Sequence, residues 1–183
     1  MRFPLRRAMT LSSILLLAAT PVFTQTAAHE MTKHRLRILV LNGPNMNLLG
    51  RRQPEIYGRT TLAEIESEMK KLASDLDVEV LFFQSNSEGA LIDAFHQHID
   101  DVDGAIINPA GYSQHSIAIH DAIKAMPFPT VEVHLSNIAS RDALHQADVI
   151  MPAARGAVIG MGPQGYQIAL RGLVAILREG KTP

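Results

Sequence analysis

The sequence predicts a single α/β domain, doubly wound around a parallel sheet, and three observations carry the prediction. Short β-branched and leucine-rich runs stop abruptly at Asn, Gly or Pro, first at Asn42-Gly43-Pro44-Asn45 and again at Asn108-Pro109. Between them lie segments whose apolar residues recur at spacings of three and four, the helical period. Strands alternating with helices through right-handed crossovers give a parallel sheet covered on both faces. A chain of 183 residues, with no internal repeat, low-complexity stretch or linker, is long enough for one core-bearing domain and short for two.

In chain order, residues 36–41 (LRILVL) read as a buried strand closed by the Asn42 to Asn45 turn. Residues 50–58 are a basic loop bounded by Gly50 and Gly58. Thr60-Thr61 offers an N-cap to a helix ending near Asp75, with Leu62, Ile65, Met69 and Leu72 on its apolar face. Residues 78–83 (VEVLFF) read as the second strand. Ser85-Asn86-Ser87-Glu88 resembles a capped helix start, followed by Leu91, Ile92, Phe95 and Ile99 on one face. Residues 104–108 are the third strand, about 113–125 a helix, and 130–135 the fourth strand. Val149-Ile150 and residues 157–160 read as short extended pieces. The last helix covers 165–178, with Ile168, Leu170, Leu173, Val174 and Leu177 inward.

Composition excludes several classes of function. With 46% hydrophobic and 19% charged residues the chain is globular in type. It has no Trp, three Tyr and a formal net charge of -1, which leaves neither a stacking platform nor a basic surface for nucleic acid. The absence of Cys excludes disulfides, Cys nucleophiles and thiolate metal sites. Arg2, Arg6 and Arg7 precede an apolar stretch at 11–19, and Thr26-Ala27-Ala28 supplies small residues. That order is the pattern of a secretory signal peptide, here residues 1–28, leaving 29–183 as a periplasmic or secreted catalytic domain without a membrane segment. Initiation at Met31 is the competing reading and gives a cytoplasmic protein.

The residues beyond the strand ends point to chemistry, because ligands of open α/β sheets sit there. The first loop carries the amides of Asn45 and Asn47, the guanidiniums of Arg51 and Arg52, and the phenol of Tyr57. Such a loop can close over an anion, and the positive charge beside Tyr57 favours a phenolate that can act as a base. In the fourth strand Glu132 and His134 lie two apart and so share a face. A carboxylate beside an imidazole holds it protonated, ready to act as an acid. By themselves the pair also fit a structural ion pair, and the loop a plain surface loop.

The run NGPN, Asn42 to Asn45, followed by R-x-P-x-x-Y-G at Arg52 to Gly58 resembles the type II, cofactor-free 3-dehydroquinate dehydratases. The likeness extends over nearly all of 36–178, including the Gly-rich 156–166, which lacks the Lys-Ser/Thr of a phosphate loop. It implies a flavodoxin-like fold and dehydration of 3-dehydroquinate by anti elimination through an enolate, with no metal and no cofactor. It also implies roles. Tyr57 is the base, Arg52 stabilises the developing negative charge, Asn45 holds a water on the enolate oxygen, and His134, oriented by Glu132, is the acid. Asn108 and the main-chain amides of Leu135 and Ser136 would hold the substrate carboxylate. Asp121 would reach a neighbouring subunit's site in a trimer-based dodecamer, and Arg141 would contact the lid.

Two positions depart from the family pattern. Gln114 stands where a His is expected, with His115 next to it, and His145 stands where the family usually has a substrate-contacting Arg. A one-residue shift on a helix turns a side chain by about 100°, so His115 does not simply replace the missing His. The expectation is an elimination that survives with altered hydroxyl recognition, and, given the leader, breakdown of quinate in the periplasm. The alternatives are a related dehydratase acting on another cyclic hydroxy-keto acid, or a non-catalytic binder of cyclic polyol carboxylates. A metal hydrolase is remote, since His115 and His120 are five apart with no Glu between.

Overall fold

A computed structural model describes residues 34–180. The expected leader through Ala28, its cleavage point and Met31 lie outside the described residues. Five parallel strands, β1 Arg37–Asn42, β2 Glu79–Gln84, β3 Gly104–Asn108, β4 Thr130–His134 and β5 Gly156–Ile159, pair in the order β2-β1-β3-β4-β5. The helices are α1 Pro54–Tyr57, α2 Leu62–Asp75, α3 Glu88–Gln97, α4 Ile117–Ala125, α5 Ala143–Gln146 and α6 Gln164–Arg178. This is the flavodoxin-like α/β sandwich expected of the sequence.

Strand alternation explains why the central runs are apolar throughout. Ile38 and Val40 of β1, with Ile106, Val131 and Val133, pack under α2 and α6. Leu39 and Leu41, with Ala105 and Ile107, pack under α3 and α4 on the opposite face. Both faces of a parallel sheet are covered, so both sets of alternating side chains in these runs are apolar, and the buried polar residues Asn42, Asn108 and His134 fall at the carboxyl ends of the strands. The β1-to-β2 crossover runs over one face and the β3-to-β4 crossover over the other. Their divergence opens a crevice beyond the carboxyl ends of β1 and β3.

Caps fix where the helices begin. Thr61 and Glu64 form a reciprocal capping box at the start of α2, while Ser87 caps α3 and Ser116 caps α4. The expected helix over 113–125 is divided. A 3-10 turn at Ala110–Gln114 ends at His115, and α4 starts afresh because the Ser116 hydroxyl accepts the Ile119 amide at 2.9 Å. Val149-Ile150 is not extended, because Asp148 Oδ1 takes the amides of Ile150 and Met151 and starts a 3-10 turn at Met151–Ala153. In α6 the inward stripe is Tyr166, Ala169, Leu170, Leu173 and Val174, whereas Ile168 faces out at 46% exposure. Ile99 lies beyond α3 and is exposed as well.

The two strand-end turns are pressed together. The Gly43 amide donates to the Asn108 carbonyl at 2.8 Å, and a Cβ on Gly43 would stand 2.5 Å from the Pro109 carbonyl oxygen. Only glycine fits that approach, which brings the ends of β1 and β3 to one place.

Candidate active site

One cavity sits in this crevice, and the expected catalytic groups converge on it. Asn45, Arg52 and Tyr57 line it from the segment after β1, Asn108 and Gln114 from the end of β3, and His134, Leu135 and Ser136 from the end of β4. Arg141 and His145 close the remaining side. Glu132 lies just behind the wall, fully buried and bonded to His134. Asp121 is the one expected residue the fold sends elsewhere. It stands exposed on α4 and does not line this cavity.

Local backbone chemistry aims these side chains. Asn45 adopts the left-handed conformation at φ 64°, which Asn tolerates better than most residues, and its amide donates to Asn86 Oδ1 at 2.9 Å. Asn86 is in turn bonded by Gln84, so the turn is braced from β2. Pro54 opens α1, a single helical turn that returns the chain so that Tyr57 faces Arg52. Asn108 is 3% exposed, its Oδ1 accepts the Ala110 amide at 3.1 Å, and the residue lines the cavity.

Tyr57 is held between two guanidiniums. Its oxygen accepts from Arg52 at 3.5 Å and from Arg141 at 3.3 Å, and the guanidinium carbons lie 4.7 and 5.9 Å from the ring centroid. Arg141 also reaches Ser136 Oγ at 3.4 Å, tying the first loop to the end of β4. Arg141 follows a short 3-10 turn at Ile138–Ser140 in extended conformation. Gln114 donates to Ser113 Oγ at 2.6 Å, and His145 pairs with Asp142 at 2.8 Å, an exposed contact that holds the Asp142 carboxyl below its usual range.

His134 is the most perturbed group of the cavity wall. Burial disfavours its charge, but Asp148 and Glu132 outweigh that and push its pKa up to about 9. Glu132 Oε1 lies 2.8 Å from His134 Nε2 and Asp148 Oδ2 lies 3.4 Å from it. Burial raises the Glu132 pKa, the His134 bond opposes it, and the Asp148 charge adds to it. For Asp148 burial also acts upward, but the His134 contact and the two backbone amides win and hold it below the usual range. Asp148 escaped the sequence reading because it lies in a stretch that reads as extended and bears no spacing relation to His134. Among the described residues, Glu132, His134 and Asp148 are also the set with the geometry to share a metal, their ligand atoms lying within 4.8 Å of one another.

A phenol beside two guanidiniums and a carboxylate-backed imidazole on one cavity are groups of the kind that give and take protons. The sequence model of the family described as dehydroquinase class II matches residues 36–174. A 3-dehydroquinate dehydratase of Desulforudis audaxviator is 48% identical over 146 residues, covering 80% of this chain and 97% of that protein. One from Bacillus subtilis is 45% identical over 137 residues, covering 75% and 93%. Among solved structures, the type II dehydroquinase of Butyrivibrio crossotus superposes with a TM-score of 0.75 at 35% identity, over 76% of this chain and 97% of that one.

Proposed function

The chain belongs to the class II dehydroquinase family and is a type II hydro-lyase with 3-dehydroquinate dehydratase activity; on that premise we propose which residues carry the elimination and where it takes place. Tyr57, as phenolate, takes the proton from the carbon beside the ketone, and the C–H electron pair becomes the enolate. Arg52 and Arg141 stabilise the negative charge on the Tyr57 oxygen before the transfer. Asn45 holds a water against the enolate oxygen. Collapse of the enolate expels the β-hydroxyl, which leaves as water with the proton of His134. Asn108 and the amides of Leu135 and Ser136 hold the ring carboxylate.

The observation that supports this assignment is the meeting of Tyr57, under two guanidiniums, and His134, backed by Glu132, on one cavity. Gln114 and His145 lie on the same cavity, and we assign them to the ring hydroxyls. The test is ultraviolet detection of the conjugated enone formed from 3-dehydroquinate by the purified protein with a chelator present. Enone formation with a measurable kcat supports the reading, and none at any pH from 6 to 9 defeats it.

Two finer elements rest on separate observations. The basic and apolar leader at 1–28 favours export to the periplasm, where the reaction would serve quinate breakdown. Cell fractionation with N-terminal sequencing of the mature protein decides this, and a chain starting at Met31 in the cytoplasm refutes it. Asp121 on α4, exposed and away from its own cavity, favours donation to a neighbouring subunit in a dodecamer. Light scattering on the purified protein reads the subunit number, and a monomer with full activity ends that idea.

A further inference from the structure

Behind the cavity, His134 meets a second carboxylate for which the elimination as described has no use. Resting on the reading above, we propose that Asp148 is a positioning residue for the reaction: with Glu132 it clamps Nε2 of His134 between two carboxylates, so that the imidazolium offers its Nδ1 proton to the departing hydroxyl.

The geometry is specific. The His134, Glu132 and Asp148 side chains are 6%, 0% and 7% exposed, so the three sit out of water. Both carboxylates approach the same ring nitrogen, at 2.8 and 3.4 Å. No hydrogen bond from the described residues engages Nδ1, and His134 lines the cavity. With Nε2–H directed at two acceptors, the neutral ring has only one tautomer available, so the proton given and regained is the one on Nδ1. Asp148 itself is anchored. Its Oδ1 accepts the amides of Ile150 at 3.0 Å and Met151 at 2.9 Å, while the buried Oδ2 makes no hydrogen bond among the described residues and lies 3.4 Å from Nε2.

A single carboxylate would not suffice. An imidazolium taken out of water loses hydration that one neighbour, itself fully buried, replaces only in part. Glu132 alone is the wrong partner to rely on, because burial biases it towards its protonated form. Asp148, held below the usual carboxylate range by the His134 contact and by its two amides, supplies the fixed negative charge. The other charged and titratable groups facing His134 are Arg52 and Tyr57 from the first loop, with Arg141 and His145 beyond β4. The two guanidiniums oppose a charged imidazole, which makes the second carboxylate the more necessary.

The test uses Asp148→Asn in the full chain. The amide oxygen can still accept both backbone amides, while the charge facing Nε2 is removed. The titration of His134 is followed by NMR of the ring-labelled protein, assigned with His134→Asn, together with the pH profile of kcat and KM in EDTA. The midpoint should fall from about 9 by ~1 unit or more. The alkaline limb of kcat should fall with it, KM should change little, and Asp148→Glu should restore part of the shift. Should the Asn variant fail to fold, Asp148→Ser keeps a hydroxyl acceptor for the two amides and repeats the measurement. An unmoved His134 midpoint overturns the inference, as does wild-type activity that EDTA abolishes and zinc restores. Because the titration needs no turnover, it decides on Asp148 even if the wild type fails to dehydrate 3-dehydroquinate, a failure that would strike only the functional reading.

Discussion

Replacing Tyr57 by Phe removes one oxygen and leaves the ring in place. Among the described residues the oxygen makes two hydrogen bonds, at 3.5 and 3.3 Å, both at the long end of the range. The stacked guanidiniums at 4.7 and 5.9 Å keep their ring. Tyr57 is half-buried, so no deeply buried partner is orphaned, and the loss of stability should stay within ~0.5 kcal/mol. Asn108, Leu135 and Ser136 are untouched, so ligand affinity should hold as well. The chemical step is another matter, since a positioned base contributes ~10²–10⁴-fold, or about 3–5 kcal/mol of barrier. The expected variant therefore binds 3-dehydroquinate by calorimetry as the wild type does, melts at the same temperature, and forms enone at under about a hundredth of the rate. Retention of more than about a tenth of kcat would remove Tyr57 from the base role. A non-catalytic binder, by contrast, shows no turnover before or after the change.

Three further predictions follow from the same geometry. His134 holds its proton to about 9 when folded, against about 6.5 when unfolded, so its stabilisation is complete below 6.5 and lost as pH rises through 9. Chemical denaturation at fixed protomer concentration should show about 3 kcal/mol more loss between pH 6 and 10 than in Glu132→Gln/Asp148→Asn, and parallel curves would refute this. Gln114→His, restoring a charge-capable side chain to the cavity, should lower KM for 3-dehydroquinate on the order of ten- to a hundredfold at constant kcat, from ~1.5–3 kcal/mol per charge-assisted contact. An unchanged KM would show that Gln114 does not read a ring hydroxyl. Gly43→Ala would place its Cβ 2.5 Å from a backbone oxygen. It should cost on the order of 2 kcal/mol in urea denaturation and reduce activity by parting Asn45 from Asn108, with an unaffected midpoint as the contrary result.

Much of the molecule was legible because its signals are local. The runs at β1, β3 and β4, the Asn and Pro stops after β1 and β3, and the caps at Thr61 and Ser87 each depend on residues within a few positions of one another. The motif residues Asn45, Arg52, Tyr57, Glu132 and His134 were visible for the same reason. Where local signals competed, the reading slipped. Ser116 recaps a helix that periodicity alone would run straight through, and the amide bonds to Asp148 turn Val149-Ile150 away from the sheet. Ile168 reads as inward until Tyr166 and Ala169 take the face against the core.

The sequence by itself determined the α/β class, the strand ends beyond which the cavity opens, and most of the polar residues that line it. Only the tertiary structure decided that Arg141 crosses 84 positions to Tyr57, that Asp121 leaves its own cavity, and that Asp148 joins Glu132 on one nitrogen of His134. The division has a physical cause. Backbone preference and side-chain alternation act over a few residues, whereas these meetings follow from parallel register and from which face each crossover covers.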